Sequence, residues 1–327
     1  MKTGFFLKIF WIKFAFAEWQ FILSVNLNQR GFSMSQIPVT YFCFLPEEEK
    51  FRRHIFQELA SAGVQHIVLM DFLVKKIIND FSFADVLKKE LADAGLSFLD
   101  VHAPFGLRLD MHCPFPALRP AMIAYQKIVL EICAYMNTDT ITMHVGDNVI
   151  APSYDYTDAQ LIGWMKETLS ELLPVAEKLG ITICIENSWF SVNTPEVLND
   201  IKSCFPSDSL GFCYDAGHAN LMDKGRYSAD SWPIEHWAKG NRGVPLWDDH
   251  ILEKLLPHVV NCHLHDNMGI HDDHNLAGEG NIDWEHIMPL LHSAPRLKVI
   301  QSEFCPVTKQ VSFAKMVSRI NELLTIK

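Results

Sequence analysis

Six apolar, strand-length runs in this chain each end in a residue type that binds metal. They are LSFLDVHAP with His102, TDTITMHVGD with His144, GITICIENSW with Glu186, SLGFCYDAGH with Asp215 and His218, HVVNCHLHD with His263 and His265, and LKVIQSEF with Glu303. A single histidine at a strand end reads as a satisfied core or loop residue, and a single carboxylate as a structural hydrogen-bond acceptor. Six strands ending alike point instead to side chains that converge, and converging imidazoles and carboxylates hold divalent metal. Asp215-Ala-Gly-His218 adds an Asp-x-x-His pair at a strand-to-helix turn. Asp272-Asp-His274 adds an Asp-x-His pair in a loop, although with His271 it also reads as a solvated loop pair.

Convergence needs elements that carry all six runs to one end of the molecule. The runs are rich in Val, Ile and Phe, as buried parallel strands are, and helix-length segments separate them. Eight alternations follow: strands at 37–44 and 66–70, then strands leading to His102, His144, Glu186, Asp215, His263 and Glu303. Helices are expected to about Ala62 with Gly63 as the stop, over 81–94 with Gly95, 117–136, 157–179 with Gly180, from Thr194-Pro195-Glu196, from about Asp283, and over 310–325. Residues 223–250 are expected to form a long loop with a short helix, and 266–282 a second loop. The fold expected is α/β, a single (β/α)8 TIM barrel, whose strands all end at one mouth.

The chain has 327 residues, 49% of them hydrophobic, enough for one large barrel core. Its net charge of −11, from 28 basic and 39 acidic residues, argues against a nucleic-acid binder that relies on bulk positive charge. The eight cysteines form no CxxC pair and read as reduced core residues of a cytoplasmic protein. Cys184 and Cys213 lie two residues before Glu186 and Asp215, so they share the inward face, as small filler rather than ligands. Residues 1–33 are aromatic and basic, interrupted by Lys8, Lys13 and Glu18, and no membrane-spanning run is expected. They are read as an extension outside a barrel at 34–327. A degenerate signal or anchor, an amphipathic extension and a non-native extension remain open.

HAP, HVGD, EN, DAGH, HLHD followed by DDHNLAGEGNIDW, and EF together resemble the xylose isomerase-like TIM barrels, over about residues 37–325. That superfamily holds sugar isomerases and epimerases and the metal-dependent AP endonucleases. The resemblance implies a single-metal set of Glu186, Asp215, His263 and Glu303, with Glu186 and Glu303 as the acid/base pair. It also implies a three-zinc alternative that adds His102, His144, His218, Asp272 and His274. The HLHD motif leaves His263 and His265 in competition, with His263 favoured. One divalent ion (Mn, Co, Mg or Zn) among Glu186, Asp215 and Glu303 leaves a net charge of −1, suited to a neutral sugar or polyol. Three ions, with Asp272 added, leave +2, suited to a phosphodiester.

Arg108, Arg119, Arg226 and Arg242 are isolated, whereas Trp189, Phe190, Tyr214, Trp232, Trp237 and Trp247 are expected at the mouth, with Trp189 and Asn187 against the substrate. The expected function is a metal-dependent sugar or polyol isomerase/epimerase that moves a proton next to a carbonyl. A multi-zinc phosphodiester hydrolase and a non-catalytic sugar-binding barrel are the alternatives. The expected partner is a small sugar or polyol, with no nucleic acid or membrane and with self-association open.

Overall fold

A computed structural model describes residues 37–146, 156–223 and 229–327. The 1–33 extension lies outside the described residues. Pro38–Lys327 is one compact unit. Its eight strands are β1 Val39–Tyr41, β2 His66–Leu69, β3 Ser97–His102, β4 Thr140–Met143, β5 Thr182–Glu186, β6 Leu210–Asp215, β7 Val259–Leu264 and β8 Val299–Ser302. They close into a barrel in sequence order, and β1 pairs with both β2 and β8 in parallel. The expected (β/α)8 barrel is the fold observed.

The helices begin and end where local chemistry directs. Thr157 and Gln160 form a capping box at the start of Asp158–Leu179, and Gly180 closes that helix with φ +73. Thr194 accepts from Val197 N ahead of Pro195–Cys204. β1 is shorter than the 37–44 run. A separate helix, Asp71–Asn79, precedes Ser82–Ala94; its apolar Leu73, Val74 and Ile77 lie on one face and are buried. Helices Glu49–Ser61 and Ser82–Ala94 are tied by a buried ion pair. Arg52 Nε and Nη2 lie 2.5 and 2.6 Å from the two oxygens of Glu90, and Nη1 donates to Glu47 O at 2.6 Å. Among the described residues no helix is long and apolar enough to cross a membrane.

Contacts between strands that are not neighbours show which side chains enter the barrel. Asn261 Nδ2 on β7 reaches Asp100 Oδ2 on β3 at 2.7 Å and Thr142 Oγ1 on β4 at 3.0 Å. Thr140 Oγ1 donates to Asp100 at 2.6 Å. Burial pushes the Asp100 carboxyl up to about 6, against the hydrogen bond from Thr140. This polar layer forms part of the barrel's interior.

One irregularity sets the level above it. β6 and β7 pair Phe212 with Val259 but Cys213 with Asn261, so β7 carries one extra residue, Val260. A one-residue slip exchanges the faces of a strand, and here it brings His263 level with Asp215. Val260 packs with Cys184 and Cys213 in a fully buried cluster. Gly211 leaves it room, since a Cβ there would lie 2.4 Å from Val260 Cγ2.

Candidate metal centre

At the C-terminal ends of the strands, ligand atoms of Glu186, Asp215, His263 and Glu303 all lie within 4.8 Å of one another. His263 Nδ1 stands 2.8 Å from Glu186 Oε1, 3.1 Å from Glu303 Oε2 and 3.6 Å from Asp215 Oδ2. It is buried, yet makes no hydrogen bond of acceptable angle. Its other nitrogen, Nε2, is 3.4 Å from Thr142 Oγ1, the top of the polar interior layer. Three carboxylates and an imidazole nitrogen, buried and converging, are a donor set that fits a divalent ion.

The electrostatics are those of a compact ionic cluster. Burial alone would raise the Glu186 carboxyl, but His263, His144 and His218 hold it well below the usual carboxylate range. Asp215 is likewise held down against its burial by His218, His265 and His263. Burial would lower His263 and His218, yet Cys213, Glu303 and Glu186 raise the first, and Asp215 and Asp272 the second, well above the ordinary imidazole value. His102 goes the other way: burial, with His144 beside it, pushes it down to about 4. Cys213 offers its sulfur near Glu186 and His263, and burial lifts its thiol well above the ordinary value, against the pull of His263.

Further imidazoles surround these four residues. His102 Nδ1 donates to Ala103 O at 3.1 Å, His218 Nδ1 to Asn187 O at 2.9 Å and His274 Nδ1 to Glu303 O at 3.0 Å. A carbonyl can only accept, so each Nδ1 carries a proton and each Nε2 is left to face a metal, a substrate or a neighbouring carboxylate. His218 Nε2 and His274 Nε2 both approach Asp272 Oδ2, at 3.4 and 2.9 Å. His144 Nε2 lies 3.1 Å from Glu186 Oε2. His265, which shares the inward face with His263, is 3.1 Å from Asp215 Oδ1 and 3.6 Å from Asp272 Oδ1, outside the four-residue group. It sits over Gly217, where a Cβ would fall 1.9 Å from its Cε1.

Asp272 and His274 come from the 266–282 loop, and a residue not singled out in the sequence holds that loop. Asp266 is fully buried. Its carboxylate accepts from Asn267 N at 3.0 Å, Gly278 N at 2.7 Å, Ile282 N at 3.3 Å and Trp284 Nε1 at 2.9 Å. Its backbone pairs with Asn275 in both directions. The buried Asn267 adds a bond to Gly217 O, linking the loop to the Asp-x-x-His turn. The D of HLHD was the available signal.

The centre opens into a cavity of about 500 Å³. Its lining includes His102, His144, Glu186, Trp189, Phe190, His218, Asp272, His274 and Glu303. Of the six aromatics expected at the mouth, only Trp189 and Phe190 line it. The period that turns Asp215 inward turns Tyr214 outward, and Trp237 is buried beneath Trp189, donating to its carbonyl at 2.7 Å. Trp232 stands behind Trp189 at 5.4 Å, and Trp247 is not in the lining. In their place the other wall is built from Phe42, Phe44, Met70 and Phe105. Asn187 is also not in the lining: its amide bonds the N–H and C=O of Asp215, at 2.9 and 3.0 Å, and so fixes that strand end. Arg119 is buried against the carbonyls of Met111, Cys113 and Trp164, and Arg242 is tied to Tyr156 O. Arg226 lies outside the described residues, and Arg108 is not in the lining.

The chain is 24% identical over 242 residues to an uncharacterised protein of Methanocaldococcus jannaschii, covering 70% of this chain and 75% of that one. In fold it is similar to a D-tagatose 3-epimerase-like protein, with a TM-score of 0.67, 22% identity, and 88% and 98% of the two chains covered. It is also similar to a D-psicose 3-epimerase solved in the presence of D-fructose, with a TM-score of 0.63, 14% identity, and 88% and 97% covered. A third similar structure is the IOLI protein with a bound zinc atom, with a TM-score of 0.60, 15% identity, and 86% and 95% covered. The model of the xylose isomerase-like TIM barrel family matches residues 56–297, and the chain belongs to that family.

Proposed function

We propose that this protein is a metal-dependent isomerase or epimerase of sugars or polyols. The observation that carries the reading is the buried convergence of Glu186, Asp215, His263 and Glu303, with both glutamates within 3.1 Å of His263 Nδ1. The sugar epimerases among the similar structures, and the zinc atom in another, support it. A divalent ion held by these four residues supplies a Lewis acid for a substrate carbonyl or hydroxyl oxygen. Glu186 gives Oε1 to the centre and keeps Oε2 beside His144 Nε2, so one of its oxygens is placed to take a proton. In this reading one glutamate removes the proton next to the carbonyl and the other returns one to the neighbouring carbon or the opposite face. His102 and His218 turn Nε2 toward the cavity and orient substrate hydroxyls, while Asp215 and His263 serve only as ligands.

A second reading is favoured by one observation. Three histidines pin Nδ1–H on carbonyls, and the triads His102/His144/Glu186, Asp215/His218/His265 and His265/His274/Glu303 each bring ligand atoms within 4.8 Å. That supports up to three ions and a phosphodiester hydrolase. Metal analysis of the purified protein, together with ketohexose turnover in deuterium oxide, separates the two. One ion per chain and deuterium on the product carbon support the epimerase. Three ions and cleavage of a phosphodiester, with sugars untouched, overturn it.

A further inference from the structure

The cavity lining combines two chemistries. Five carboxylates face it: Asp71, Asp110, Glu186, Asp272 and Glu303. No Lys or Arg is among its described lining residues. Beside them lies an apolar patch. Phe44 is 49% and Phe105 44% exposed. Phe42 packs edge-on to Phe44 at 4.9 Å, and Phe72 extends the cluster at 6.0 Å. Phe105 lies 4.6 Å from the His144 ring and 5.2 Å from His102, so the patch begins where the metal centre ends. Exposed aromatic surface continuous with a site marks a place where a ligand belongs. A cavity of about 500 Å³ has room for a ligand larger than one hexose.

We propose that the substrate is an uncharged sugar carrying an apolar group: a glycoside whose ring oxygens reach the Glu186–Glu303 centre and whose aglycone lies on Phe42, Phe44 and Phe105. Phe42, Phe44 and Phe105 offer a phosphoryl group no partner, so a phosphorylated sugar gains nothing on this wall. A glycosidic bond occupies the anomeric carbon, so the carbonyl beside the transferred proton sits at another ring carbon. That last step rests on the isomerase/epimerase reading; the ligand preference does not.

The test uses the full chain loaded with its metal, and titration calorimetry with phenyl and methyl glucosides of both anomers, glucose and glucose 6-phosphate. For at least one anomer the phenyl glucoside should bind tenfold or more tighter than the methyl one, since an aromatic face gains both burial and ring stacking. Phe44→Ala and Phe105→Ala should each reduce that preference, the ratio of phenyl to methyl affinity, severalfold. Glucose 6-phosphate should bind no better than glucose. Equal affinity for phenyl and methyl glucosides, no binding of any glucoside, a preference that survives both substitutions, or tighter binding of the phosphate each overturns the proposal. Failure of sugars to exchange a proton with solvent, with the phenyl preference intact, sinks the epimerase reading and leaves this one standing.

Discussion

Adding one divalent ion to metal-stripped protein at pH 7 should expel about one proton. In the stripped protein burial opposes charge on His263, but Cys213, Glu303, Glu186 and Asp215 raise it well above the ordinary value, so its ring is expected to carry a second proton. As a ligand its Nδ1 must give a lone pair to the ion, so that proton has to leave. The other three ligands are carboxylates, and Glu186 and Asp215 are already ionised. While pH stays below the folded value of His263, the apparent affinity should rise about tenfold per pH unit, or about 1.4 kcal/mol. Titration calorimetry in two buffers of different ionisation enthalpy counts the protons directly. His263→Asn should abolish the release. Affinity independent of pH between about 6 and 8, around the unperturbed imidazole value, would show that His263 is not both protonated and a ligand. Two or more protons accompanying two or more ions would favour the multi-ion site.

The same groups set the stability of stripped protein. Imidazoles raised on folding, His263, His218 and His274 (the last to about 10), stabilise fully below their unfolded value of about 6.5 and lose that contribution as pH rises through their folded values. Carboxylates lowered on folding, Glu186, Asp215 and Asp272, stabilise above about 4 and lose it as pH falls through theirs. The melting temperature in chelator should therefore decline above about pH 6.5, and a flat profile to pH 10 would contradict the cluster. Glu303→Gln should lower kcat about a hundred- to ten-thousand-fold, with KM nearly unchanged; an unaltered rate in a steady-state assay removes Glu303 from proton transfer. Arg52→Met leaves the Glu90 carboxylate buried and unpaired, and denaturant unfolding should show a loss of about 3–5 kcal/mol. Gly217→Ala forces His265 aside and should weaken metal binding while the circular dichroism stays that of a folded barrel; wild-type affinity would show that the turn yields freely.

The strand ends were legible because each run joined β-branched residues to a single polar terminus, and a parallel barrel gives those termini only one place to go. Helix limits at Thr157, Gly180 and Thr194 were legible for the same local reason. The choice between His263 and His265 was not. A period of two puts both on one face, and both reach Asp215; only the fold, which brings Glu186 and Glu303 to His263 and Asp272 to His265, separates them. The aromatic wall was misplaced because richness in Trp marks loops that pack on themselves. Phe42 and Phe44 fell inside the expected 37–44 strand, but β1 ends at Tyr41 and they stand beyond it, on the cavity.

Asp266 gives the molecule a division of labour. The four converging donors sit at or just beyond strand ends, where changing one disturbs the barrel. Asp272 and His274 ride on a loop whose shape is maintained by a carboxylate that takes no part in the centre. Their identities can therefore change while the loop keeps its course. Over evolutionary time, such a chain can gain or lose outlying donors, and with them the number of ions and the charge of the substrate it accepts, without rebuilding its inner four.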